Sequence, residues 1–170
     1  MKITILTMLL IGLLSTNTYE QEANNDVEHS LKIFKEELRR SRIEQIRNSE
    51  FSLELFTELL ALYEVPYADY IVRQAILETG NFTSAIFFEN NNLLGMKHPR
   101  VRPTTSLGTN RGHAVYHHWT ESVEDYLLWL RYYKDRGWDT QDYFRFLREV
   151  GYAEDPYYIY KLQNLNYEFV

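Results

Sequence analysis

The chain of 170 residues contains no cysteine. That absence removes a disulfide framework, a thiolate nucleophile, a cysteine metal site and the lipid-modified cysteine of a lipoprotein. Basic charge is also short: 18 Lys and Arg against 24 Asp and Glu leave a net −6. Phosphate neutralisation needs a basic surface that this balance does not supply, which argues against general nucleic-acid binding. A long apolar run is missing too. Residues 3–14 are apolar apart from Thr4, Thr7 and Gly12, well short of the roughly 20 residues that span a bilayer. No internal repeat or low-complexity segment interrupts the chain, and its length suits one domain with an amino-terminal extension.

The amino end reads as an address. Lys2 followed by the short apolar run fits a signal peptide over residues 1–18, with Ser15 to Thr18 small and polar enough to carry the cleavage point although no Ala-x-Ala stands there. The expected protein is exported, periplasmic or secreted to the cell envelope, without stable membrane insertion after the signal is removed; an uncleaved anchor is the alternative. Residues 19–50 then read as a polar linker, from Thr18 to Asn25, and an amphipathic helix whose Val27, Leu31, Phe34 and Leu38 share one stripe. The charges from Glu36 to Arg40 are its solvated face.

From Phe51 to residue 165 the spacing predicts a mainly α domain with a small β-hairpin lobe. Leu53, Phe56, Leu59, Leu60 and Tyr63 form one stripe, and Pro66 suits the first turn of the next helix. That helix carries Ile71, Ala75 and Glu78 along one side and meets a left-handed stop at Gly80. Val123, Tyr126, Leu127, Leu130 and Tyr133 form a third stripe, with Thr120 as its N-cap and Gly137 as its stop. Tyr143, Phe146, Leu147 and Val150 give a fourth, ended by Gly151, and Asp155-Pro156 opens a last short helix. Only the stretch from about Leu93 to Trp119 breaks the rhythm, as a hairpin with a loop from Pro99 to Gly112.

Glu78 is the candidate for chemistry. A carboxyl at the end of an apolar helix is disfavoured as a carboxylate by desolvation and by the negative end of the helix dipole, which suits a general acid. An ordinary solvated glutamate in a last turn is the other reading. The hairpin region shows a further absence: from Asn90 through Thr120 there is no Asp or Glu, while Lys97, Arg100, Arg102 and Arg111 are present, leaving 14 basic against 24 acidic side chains elsewhere. These cations either hold an acidic polymer or face only water. His113, His117 and His118 cluster, but strand alternation sends the last two to opposite faces and no carboxylate completes a metal set. No metal or cofactor is expected.

Four segments in order carry a resemblance: Gln74-Ala75-Ile76-Leu77-Glu78-Thr79-Gly80, then Asn90 to Lys97, then Ala114-Val115-Tyr116 leading into Ser122 to Tyr126, and finally Gly151 to Pro156. From about Phe51 to Gln163 the chain resembles the bacterial glucosaminidase domain of glycoside hydrolase family seventy-three, mannosyl-glycoprotein endo-β-N-acetylglucosaminidase-like. The resemblance implies a lysozyme-like α+β architecture, a cleft between helical body and β-lobe with Glu78 on its helical wall, and peptidoglycan glycan strands as the partner. It implies hydrolysis of the β-glycosidic bond after N-acetylglucosamine. A lytic transglycosylase and a non-catalytic glycan-binding protein are the alternatives.

Asn92, carried over from the family's Asn-Asn-Leu-(Phe/Leu)-Gly pattern, is expected either to bind sugar or to pin the turn before Gly95. Tyr152 matches a tyrosine that lines the family's cleft. Tyr116 and Trp119 offer faces for sugar stacking, or fill the core. Arg100 and Arg102 are expected to hold substrate carboxylates. Many members of the family carry a second glutamate in the β-lobe, which has none here; Glu89, Glu121, Glu124 and Asp125 lie outside it, the last three reading as first-turn charges. Serving both sides of the bond with one acid is possible where the substrate's N-acetyl oxygen or a held water does the rest.

Overall fold

The regular structure follows from the apolar spacing nearly everywhere. In the computed structural model, which describes residues 2–167, the chain falls into two units, Met1–Glu44 and Gln45–Val170. The first unit is one helix, α1, which runs Lys2–Arg47 and ends in the second unit. The stretch expected as a linker from Thr18 to Asn25 is therefore helical. Along it Val27, Leu31, Phe34 and Leu38 are all more than half exposed. The expected signal and cleavage segment belongs to this helix, and the side chains of residues 1–20 lie outside the described ones. Among the described residues no helix is long and apolar enough to cross a membrane.

The second unit is mainly α with one two-stranded antiparallel sheet, a lysozyme-like α+β fold. Helix α2 (Leu53–Leu62) starts where Ser52 accepts the Leu55 N–H, and buries Phe56, Leu59 and Leu60. Helix α3 (Ala68–Thr79) starts two residues beyond Pro66, which lies in the preceding turn and not in the first helical turn as expected. Its end is as expected: Gly80 takes φ +55 and its N–H reaches back to the last turn. A six-residue helix, α4 (Ala85–Asn90), capped by Ser84, has no counterpart in the apolar spacing because it buries only Phe87 and Asn90.

The hairpin consists of β1 (Gly108–Asn110) and β2 (His113–Val115), with Thr109 opposite Ala114. Its first strand lies inside the segment expected to be loop. Arg111 (φ +53) and Gly112 (φ +79) form the two-residue turn, the left-handed pair that matches strand twist. Helix α5 (Trp119–Lys134) is capped by His118, not Thr120, because the imidazole accepts the Thr120 N–H while its other nitrogen meets the Ser49 carbonyl oxygen at 2.9 Å. Helices α6 (Tyr143–Glu149) and α7 (Tyr158–Asn164) close the unit. Asp155 supports the start of α7 by accepting the Tyr157 N–H at 2.8 Å and pairing with Lys161.

Candidate active site

Glu78 stands in the last turn of α3, two residues before the glycine stop, and the helix face that buries Ile71 and Ala75 carries it inward. It lines a cavity of about 280 Å³ together with Gly95, Lys97, Trp129, Gly151 and Tyr152. No other described residue of that lining carries a carboxyl. One oxygen, Oε1, accepts the Tyr158 hydroxyl at 2.8 Å. The other faces Gly95 so closely that a Cβ built there would lie 2.5 Å from Oε2. Burial pushes the Glu78 carboxyl above its ordinary value, and the Tyr158 hydrogen bond and the charge of His113 oppose that push without cancelling it. A half-buried carboxyl with a raised pKa, open to a cavity, has the character of a general acid.

The opposite wall is held in place from two sides. Asn92, 1 % exposed, accepts the Met96 N–H through Oδ1 and donates through Nδ2 to the carbonyl oxygens of Met96 and Ala114, both at 2.9 Å. Tyr152 donates its hydroxyl to the Leu94 carbonyl oxygen at 2.6 Å. Between those anchors Gly95 takes φ +61 and passes against Glu78. A side chain there would meet both penalties, left-handed backbone and lack of room. Gly95→Ala is accordingly expected to displace the Glu78 carboxyl and, for the activity that the resemblance implies, to lower glycan cleavage at least tenfold, since misplacement by about 1 Å can cost roughly 100-fold. Turnover measured beside circular dichroism of the same sample tests this; full turnover with a native spectrum would mean that the wall yields freely.

Several residues expected to touch sugar serve the scaffold instead. The Asn92 amide is engaged in the turn, the second of the two uses expected for it, and not with an edge free for sugar, so it holds Gly95 in place. Tyr116 is 2 % exposed and donates to Asp125 Oδ2 at 2.8 Å. Trp119 is buried against Phe51 and Phe56, and its indole N–H goes to the Ser49 carbonyl oxygen. It borders a different, larger cavity of about 680 Å³ among Phe51, Phe82, Phe87 and Phe88. That cavity has only the exposed Glu50 as a carboxyl, whereas the smaller one holds the half-buried Glu78.

The lobe's cations are also fewer than its sequence suggests. Arg102 lines the Glu78 cavity, but its guanidinium makes a two-pronged pair with Asp125 at 2.6 and 3.0 Å, and the two side chains are 5 % and 0 % exposed. The expectation that Arg102 holds substrate is corrected on that ground. Arg111 pairs with Glu89 at 2.7 Å on the surface. Lys97 and Arg100 remain exposed, and only Lys97 reaches the cavity lining.

The other carboxyls considered for a second role are each committed. Glu89 pairs with Arg111, Glu121 accepts the His117 N–H, Glu124 takes Arg47 and the Tyr63 hydroxyl, and Asp125 holds Arg102 and Tyr116. Asp125 is thus a buried ion-pair partner rather than a solvated first-turn charge. Sequence reasoning missed Tyr158, whose only local signal is its place in the helix after Asp155-Pro156. It also missed Gln74, a polar residue on the α3 flank one turn before Glu78, and polarity on a buried face was the available sign.

A family model described as Glucosaminidase, mannosyl-glycoprotein endo-beta-N-acetylglucosaminidase, matches residues 53–169. No curated protein and no solved structure matches the chain.

Proposed function

The chain belongs to the glucosaminidase family, and from that premise we propose that it hydrolyses the β-glycosidic bond after N-acetylglucosamine in bacterial peptidoglycan, with Glu78 as the general acid. The observation that carries the reading is the single carboxyl of the cavity, desolvated, held by Tyr158 on one oxygen and facing Gly95 with the other. Glu78 gives its proton to the glycosidic oxygen as the bond to the sugar's anomeric carbon breaks. The oxocarbenium-like carbon is met by the substrate's own N-acetyl oxygen or by a held water, since a glycosidase with two carboxyls needs the second within roughly 5–9.5 Å of the first and the lining offers none. Water adds its oxygen to that carbon, directly or by opening the N-acetyl adduct, and gives its proton back to the Glu78 carboxylate, which completes the hydrolysis. Trp129 and Tyr152 supply aromatic faces in the same lining for the sugar rings. A peptidoglycan substrate calls for export, and the short apolar run after Lys2 supplies the address.

Purified protein incubated with purified peptidoglycan, with product ends identified by mass spectrometry, tests the reading. Reducing N-acetylglucosamine ends are expected. Anhydromuramyl ends would make the protein a lytic transglycosylase, which also runs on one acid, and absence of any product would leave a binding protein.

Lys97 and Arg100 are the exposed cations left to attract the carboxylates of that polymer. Their field is screened by salt over about 8 Å at physiological ionic strength. Replacing both by Gln is expected to weaken peptidoglycan binding and to flatten its dependence on salt, with little change in cleavage of a short uncharged chitooligosaccharide. Pull-down on the insoluble polymer across a salt series reads both effects. An unchanged affinity and slope would make these two cations ordinary solvated charges.

A further inference from the structure

Gln74 lies one helical turn before Glu78 on α3, and its side chain is 0 % exposed. An amide with no access to water must satisfy its donors and acceptor internally. Its Oε1 faces two hydroxyls, of Tyr126 at 3.1 Å and of Tyr143. Its Nε2 donates to the Tyr158 hydroxyl oxygen at 3.4 Å, and Tyr158 in turn donates to Glu78 Oε1 at 2.8 Å. Tyr126 and Tyr143 also approach each other through their hydroxyls, and two protons cannot serve all three contacts, so at least one of the two donates to Oε1; five side chains from four helices thus form one hydrogen-bonded network that ends on the acid.

Proton counting gives this chain a direction. A tyrosine hydroxyl has one proton. The two tyrosines on Oε1 orient the Gln74 amide so that its NH2 points at Tyr158. A donor arriving at the Tyr158 oxygen leaves that residue's single proton for Glu78. Oε1 of Glu78 is then occupied as an acceptor, and a protonated Glu78 carries its hydrogen on Oε2, the oxygen facing Gly95. We propose that Gln74 is a positioning residue, fixing the direction of the Gln74–Tyr158–Glu78 chain so that the transferable proton resides on Glu78 Oε2. The inference rests on the reading of Glu78 as the general acid. The titratable groups around Glu78 that bear on its proton are Tyr158 from α7, Tyr152, Tyr126 from α5, His113 from β2, and the cavity cations Lys97 and Arg102.

The test uses the full chain and reads the Glu78 carboxyl directly, by carbon-13 NMR titration, beside the alkaline limb of the pH–rate profile. Tyr158→Phe removes the bond that favours the carboxylate, so the Glu78 titration is expected to move up by about one pH unit. Gln74→Met leaves Tyr158 without its donor and is expected to move the titration in the same direction by roughly half as much, to lower kcat several-fold and to leave KM within twofold. In the Tyr158→Phe background Gln74→Met should add no further shift, because the two act through one chain. Tyr143→Phe disturbs the same buried cluster but leaves Tyr126 free to donate to Gln74 Oε1 and hold the amide toward Tyr158, so it should leave the titration in place.

An unmoved titration in Gln74→Met, additive shifts in the double variant, or an equal shift in Tyr143→Phe would each overturn the proposal. Should Gln74→Met fail to fold, Gln74→Asn makes the same test, since it keeps an amide for Tyr126 and Tyr143 but falls one methylene short of Tyr158. Failure of the general-acid reading is a separate result: turnover would then survive in Glu78→Gln whatever the titrations show.

Discussion

Glu78→Gln is expected to reduce glycan cleavage by 100-fold or more, on the order of the loss of one general acid, while the protein stays folded and still binds peptidoglycan. The amide keeps the shape of the carboxyl and can still accept the Tyr158 hydroxyl, but it has no transferable proton. Stability gives a second readout with a defined sign. Burial raises the Glu78 carboxyl above its ordinary 4.5 in the folded chain. The stability it contributes is therefore full below that ordinary value and is lost as pH rises through the folded one. Glutamine does not titrate, so the thermal midpoint of the variant should equal or exceed that of the wild type at neutral pH, and this advantage should fade on acidification. Turnover above a tenth of wild type would remove Glu78 from the role of acid. A midpoint well below wild type at neutral pH would mean that the carboxylate is better solvated than its burial implies.

The second large effect is expected from Arg102→Gln, on stability. The variant leaves Asp125, 0 % exposed, with the Tyr116 hydroxyl but without its guanidinium. Removing one partner of a buried pair costs about 3–5 kcal/mol, because the remaining charge is desolvated and uncompensated. For a domain of this size that corresponds to a fall in the thermal midpoint on the order of 10 °C. Replacing Arg102 and Asp125 together by apolar residues should cost much less than the single change, and the difference measures the unpaired charge rather than the pair. A fall below about 1 kcal/mol in Arg102→Gln would match a screened surface pair and would contradict the burial. Weaker substrate binding in this variant would report a displaced lobe loop, since the guanidinium that would attract the polymer is already held by Asp125.

The sequence by itself determined what depends on neighbours along the chain. Helical spacing of apolar residues located α2, α3, α5 and α6, because a stripe at steps of three and four can be buried only on one side of a helix. Gly80 marked the end of α3, because a left-handed stop favours the residue without a Cβ. Those two facts sufficed to present Glu78 at a helix end facing inward. The lobe was legible as a break in that rhythm, although its turn at Arg111-Gly112 was not, since the left-handed pair begins with an arginine. Tertiary structure alone decided which polar residues meet. Arg102 and Asp125 are 23 residues apart, Gln74 and Tyr158 are 84 apart, and Tyr158 and Glu78 are 80 apart. Charge counting treated Arg102 as a free cation and Asp125 as a helix-start anion, because composition carries no information about pairing across the fold. The same limit applied to Asn92, Tyr116 and Trp119: an amide or aromatic ring suits sugar and core equally well, and only burial together with a spent hydrogen-bonding edge separates the two uses.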